Sequence, residues 1–324
     1  MRSLFWLTAT ALAACHPSTP ADSTGSASPA RSTPVATLVE SIHHTETLDS
    51  FMSHREVGTG APIVFLHGNP TSSYVWRKVL PLLCTQHRCL APDLIGMGQS
   101  GKPDSAYRYA DHARYLDAWL AAMDLHDVIV VGYDWGGVLA IDWASRHADR
   151  VRGVVVFETI LQTLRWADYP PQGAQLFRTL RTPGAGEKLV LEDNAFLSKS
   201  LEHGVTSGLS AADLAAYNAP FPDARSRRPM LQWTRSIPID GEPADVMAVV
   251  TRNAAWLAAT PAIPKLLLTF DGAGLSNAPE VVRWAATIPR LEVQHLGAAG
   301  HHAPEDAPAP IAHAIRDWLA RLRR

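Results

Sequence analysis

The chain has 324 residues, 47% of them apolar, with 29 Lys plus Arg against 31 Asp plus Glu and a formal net charge of −2. Such a length and apolar fraction allow one large core, or a core domain carrying a smaller insertion. The near-neutral charge, without basic blocks, excludes the footprint of a nucleic-acid-binding protein, and nothing after the N-terminus reaches a membrane-spanning length of apolar residues.

Arg2 precedes the apolar run Leu4 to Ala14, too short to span a membrane and fitting a secretory signal. The run ends in Leu12-Ala13-Ala14-Cys15, which resembles a bacterial lipoprotein signal with Cys15 as the acylated residue. Residues 16–38, rich in Ser, Thr, Pro and Ala, read as a flexible tether. The alternative is an ordinary signal peptide with an incidental cysteine. Either predicts an exported protein, periplasmic or membrane-anchored, touching a membrane only through an N-terminal lipid. Cys84 and Cys89 lie close enough for a small-loop disulfide in an oxidising compartment, although two unpaired buried thiols are the simpler expectation.

Beyond the tether, Asp49 to Glu56 reads as an edge strand and Pro62 to Leu66 as a buried strand ending in His67-Gly68-Asn69-Pro70. Arg88 to Pro92 is a further short strand before the glycine-rich loop Asp93 to Gly101. Tyr107 to Leu125 has helical spacing of Tyr115, Leu116, Trp119, Leu120 and Met123. Asp127 to Val131 and Val151 to Phe157 are buried strands, strand patterns resume at Pro264 to Phe270 and Leu291 to His295, and Ala307 to Arg324 is a final amphipathic helix. Strands alternating with helices predict a mostly parallel sheet covered on both faces. Residues 159–241 differ: they are rich in Pro and Trp, carry short helical patterns at Gln172 to Leu180 and Ala211 to Tyr217, and lack a strong strand. The expected organisation is a signal over 1–15, a tether over 16–38, a core over 39–158 and 242–324, and a helical cap over 159–241.

Val131-Gly132-Tyr133-Asp134-Trp135-Gly136-Gly137 has the glycine spacing of a nucleophile elbow, with Asp134 where most such turns carry serine. A carboxylate there is ionised near neutral pH, needs no base to activate it, and can attack saturated carbon to leave an ester. The alternative is a turn aspartate that caps the next helix. An ester must then be cleaved by water, which requires a base. His301, in a glycine-rich loop after the last strand, holds the chain position of that base, with a surface histidine as the alternative and His302 beside it. Glu158 and Asp271 each follow a strand and each qualify as the acid that orients the base; spacing does not separate them. The amide after His67-Gly68 and that of Trp135 suit an oxyanion hole, and the Asn69 carboxamide and Trp135 indole are donors suited to a departing anion.

Together these residues resemble a haloalkane dehalogenase of the α/β-hydrolase fold, over about Gly58 to Leu322. The similarity is most specific in His67 to Trp76, Ala91 to Ser100, Asp134-Trp135-Gly136, and Trp166 to Pro170 onward through Leu189 to Asn194. Arg228 to Ile239 and Gly241 to Val246 are similar to the second subfamily. The resemblance implies an α/β-hydrolase fold, a mostly parallel twisted sheet flanked by helices with an inserted helical cap. It implies Asp134 as nucleophile, His301 as base, Glu158 as acid with Asp271 second, and Asn69 and Trp135 as the halide-binding pair. Phe177, Phe196 and Leu275 match positions that wall the apolar pocket. It also implies a monomer that converts a small halogenated substrate and water to alcohol, halide and a proton through an alkyl-aspartate, with no metal or organic cofactor. The chain departs from that pattern at Tyr133 (commonly His), Thr234 (usually Pro), His302 (usually aromatic) and Pro304 (usually Gln). An epoxide hydrolase shares the Asp-Trp-Gly elbow and would need cap tyrosines such as Tyr169 or Tyr217, but Asn69 replaces the bulky apolar residue usual there. A catalytically silent surface lipoprotein would be expected to have lost a triad residue, and none is lost.

Overall fold

The computed structural model describes residues 40–271 and 274–322. Its eight strands are β1 (Glu40–Thr47), β2 (Ser50–Val57), β3 (Ala61–Leu66), β4 (His87–Pro92), β5 (Val128–Tyr133), β6 (Val151–Phe157), β7 (Lys265–Thr269) and β8 (Leu291–His295). They form one sheet in the order β1-β2-β4-β3-β5-β6-β7-β8. β2 runs antiparallel to both its neighbours, and every pairing from β4 to β8 is parallel. The centre is built from the most apolar runs: Ile63 to Leu66, Val128 to Val131 and Val154 to Phe157 are all buried. Such continuity is what a strand covered on both faces requires.

Helices Tyr109–Ala122, Trp135–Arg146, Pro279–Ala285 and Pro308–Leu322 connect or follow the strands. Between β6 and β7 come Pro171–Arg181, Ala195–Gly204, Ala211–Asn218, Arg228–Arg235 and Ala244–Ala259, with only isolated bridges joining Leu164 to Ile239 and Ile239 to Glu242. Helix Ala244–Ala259 lies against Trp135–Arg146, where the buried Asn253 Nδ2 donates to Val138 O at 3.1 Å. No helix among the described residues is long and apolar enough to cross a membrane.

Three sequence expectations are corrected. The strand expected at Asp49 to Glu56 is not an edge, because β1 pairs with it along its whole length and takes that place; the polar sequence of β1, largely exposed, gave no hydrophobic signal. The helix expected over Tyr107 to Leu125 is shorter, because Tyr107 (φ +52°) and Asp124 (φ +45°) adopt left-handed backbone just outside its ends. Cys84 and Cys89 are not free thiols: they are bonded, with Cα atoms 5.8 Å apart.

The C-terminal helix docks through Ile311, Ile315, Trp318 and Leu319, all buried. Trp318→Ala is therefore expected to destabilise the protein by about 3–5 kcal/mol, read as a lowered denaturant midpoint; an unchanged midpoint would contradict this packing.

Candidate active site

β5 ends at Tyr133 and a helix begins at Trp135, so Asp134 alone makes the corner, at φ +51° and ψ −129°. A non-glycine residue there is strained and persists only where its surroundings over-determine it. Three bonds do so. The Asp134 N–H donates to Glu158 O at 2.9 Å, the Thr159 hydroxyl donates to Asp134 O at 2.6 Å, and the Asn69 N–H donates to Asp134 Oδ1 at 2.7 Å. The helix approaches β3 so closely that a Cβ on Gly136 would lie 2.1 Å from Leu66 O.

His301 reaches the same carboxylate from the loop after β8. Its Nε2 is 3.6 Å from Asp134 Oδ2 and its Nδ1 is 3.3 Å from Glu158 Oε2. Glu158 is buried just after β6, with Oε1 unpartnered. Asp271 lies elsewhere, paired at 2.9 Å with His295 Nε2 on the exposed side of the sheet end. Spacing left these two acids equivalent; the fold brings only Glu158 to His301. Burial pulls the His301 pKa down, but bonds and charge from Asp134 and Glu158 outweigh it and raise it to about 10. Its neighbour His302 is the opposite case. Fully buried, and next to the His301 charge, it is held far below the ordinary histidine pKa. The two adjacent histidines are thus shifted in opposite directions, and only His301 faces the carboxylates of Asp134 and Glu158.

Asn69 follows β3 and Trp135 opens the helix, so both flank Asp134. Asn69 Nδ2 donates to Met230 O at 3.2 Å, which leaves its second amide hydrogen for another acceptor. The Trp135 ring stacks on Trp233 at 4.6 Å, which stacks on His112 at 4.0 Å. His112 is fully buried, and burial followed by the charge of His67 lowers its pKa to about 3. Sequence reading missed this stack, and it missed Thr159; single aromatic or hydroxyl residues carry no local signal of what they will meet.

Phe177, Phe196 and Leu275 are each half-buried against the apolar core, and Phe177 meets the Tyr169 ring edge-on at 5.3 Å. Of the two cap tyrosines, Tyr217 donates its hydroxyl to Glu305, whereas the Tyr169 hydroxyl is buried without a partner. The departures from the family pattern sit among polar partners. Tyr133 shares a hydrogen bond with Thr71 Oγ1 at 2.6 Å and lies 3.4 Å from His302 Nδ1, and Thr234 donates to Leu231 O at 2.7 Å. Pro304 is buried in the first turn of the short helix Ala303–Asp306. Cys15 lies outside the described residues.

The model of the alpha/beta hydrolase fold matches residues 61–308. A haloalkane dehalogenase of Mesorhizobium japonicum is 45% identical over 278 residues, covering 85% of this chain and 90% of its own length. One of Bradyrhizobium diazoefficiens is 42% identical, covering 87% and 94%. Among solved structures, a putative ancestral haloalkane dehalogenase superposes with a TM-score of 0.84 at 43% identity, covering 87% of this chain and 99% of that one. The haloalkane dehalogenase DbeA from Bradyrhizobium elkani gives 0.85 at 42% identity, covering 88% and 99%. With identity of this level over most of both chains, on an eight-stranded sheet of the same fold, the chain belongs to the haloalkane dehalogenase family of α/β hydrolases.

Proposed function

We propose that the protein hydrolyses the carbon–halogen bond of small apolar haloalkanes in two steps through an ester of Asp134. The observation that carries this reading is a carboxylate, not a hydroxyl, at the strained elbow, with an imidazole nitrogen 3.6 Å from its free oxygen. In the first step an Asp134 oxygen forms a bond to the substrate carbon and the halide leaves with the bonding pair. The Trp135 indole N–H and the Asn69 amide donate to that halide, replacing water that an apolar cavity lacks. In the second step His301 Nε2 takes a proton from water, and the hydroxide attacks the ester carbonyl. The Asn69 backbone N–H, already directed at Asp134 Oδ1, holds the oxyanion together with that of Trp135. Collapse releases the alcohol and restores Asp134. Glu158 accepts from His301 Nδ1, which fixes the tautomer and stabilises the imidazolium formed.

The electrostatics give the base its timing. With both carboxylates charged, His301 is held protonated and cannot act as a base. Alkylation of Asp134 removes one of those charges, so the His301 pKa falls when the ester forms and a base is needed. Phe177, Phe196 and Leu275 would supply the apolar wall of the site. For location, we read the leader ending at Cys15 as an export and lipid-attachment signal, which the disulfide between Cys84 and Cys89 supports because such bonds persist in oxidising compartments.

Four outcomes are expected. Replacing His301 with Phe should lower turnover at least ~10²-fold while the alkyl-enzyme accumulates in intact-mass spectra, and absence of the adduct would count against two steps. Glu158→Gln should likewise cost roughly 10²-fold or more, with Asp271→Asn near the parent; the reverse order would reassign the acid. NMR titration of the His301 ring should show it protonated well above pH 7 and its pKa lowered in Asp134→Asn, an unshifted pKa contradicting the coupling. Expressed in a bacterial host, the full chain should partition into detergent with a diacylglycerol-sized mass increment at Cys15, and an aqueous, unmodified product would remove the anchor.

A further inference from the structure

The nucleophile and the loop that carries the base are tied to different parts of the molecule. Asp134 is fixed by groups just beyond the ends of β3 and β6: Glu158 O, the Thr159 hydroxyl and the Asn69 N–H. His301 sits between two residues that are linked to the end of helix Ala195–Gly204 and the segment after it, Gly300 through Asp306 and His302 directly. On one side the Gly300 N–H donates to Asp306 Oδ2 at 2.8 Å, and the same carboxylate accepts from Thr206 N at 3.0 Å and Ser207 N at 2.8 Å. On the other side the His302 N–H donates to Gly204 O at 2.8 Å, and His302 Nε2 is 3.1 Å from Ser200 Oγ. The contact is close: a Cβ on Gly204 would lie 2.6 Å from the His302 ring. Burial works against the charge on Asp306, and the three amides outweigh it to lower its pKa.

We propose that Asp306 is a positioning residue for His301, clasping the loop that carries the base to the inserted helix Ala195–Gly204, so that hydrolysis of the ester depends on Asp306 and its formation does not. The inference rests on the two-step reading above. The same helix carries Phe196, so a shift of this one element moves a half-buried pocket candidate and the support of the base together. Alkylation needs only Asp134 and the halide donors, none of which Asp306 touches. Water activation needs the ring of His301 in register with the ester, and a misplacement of about 1 Å costs roughly 10²-fold.

The test is rapid-quench and intact-mass analysis of the full chain with 1,2-dibromoethane. Asp306→Asn keeps the size but replaces one accepting oxygen with an amide donor. It should release a burst of one bromide per site at the parent rate, turn over roughly 10²-fold more slowly, and accumulate the alkyl adduct. Ser200→Ala, which loosens only the His302 contact, should show the same signature more weakly, and it carries the test if Asp306→Asn fails to fold. A burst slowed in proportion to turnover, or no adduct, while the His301→Phe variant does accumulate one, would overturn the positioning role. A His301→Phe variant without adduct would instead sink the base assignment itself.

Discussion

One imidazole between two carboxylates is the constraint on which the rest of the site depends. His301 bridges Asp134 and Glu158, which directly follow neighbouring parallel strands and come together because β5 and β6 pair in register up to Tyr133 and Phe157. Buried charges are costly unless paired and hydrogen-bonded, so three such groups in one place demand mutual compensation. Glu158 retains one unpartnered oxygen and Asp134 sits in strained backbone. The core tolerates both because its central strands bury continuous apolar runs around them.

On the proposed scheme, that arrangement is also a sequence of events. A resting site with two carboxylates keeps the histidine charged, and neutralising one of them by alkylation releases it to act. The chemistry therefore needs no separate switch, because the substrate itself changes the field around the base. On the same scheme, the aromatic stack behind Trp135 would serve the other half of the reaction by packing the indole between fixed rings.

The departures at Tyr133 and His302 become intelligible as a pair. They meet beside the nucleophile, in a chain of polar contacts running from Thr71 through Tyr133 and His302 to Ser200. One end of that chain lies next to the elbow and the other on an inserted helix. Position by position they looked like independent substitutions, because the sequence separates them by 169 residues.

The elbow, the strands at its sides and the histidine-bearing loop after the last strand were legible in sequence because each is local. Glycine spacing, unbroken apolar runs and a histidine in a glycine-rich loop follow from short-range sterics and burial. β1 was not legible, since an exposed polar strand has no hydrophobic pattern and is held by pairing with β2. The state of Cys84 and Cys89 was not legible either, for it depends on how the turn between helix Leu80–Leu83 and β4 brings the two Cβ atoms together. Spacing alone could not separate Glu158 from Asp271, because both follow a parallel strand; Asp271 meets His295 because β7 and β8 pair with Thr269 opposite His295, and Glu158 meets His301 from the loop after β8. Sequence by itself determined which chemistry-bearing residues the chain owns and the turn that presents Asp134. Tertiary structure alone decided which of them face one another, since the through-space contacts that match a carboxylate to an imidazole exist only after strands distant in sequence have paired.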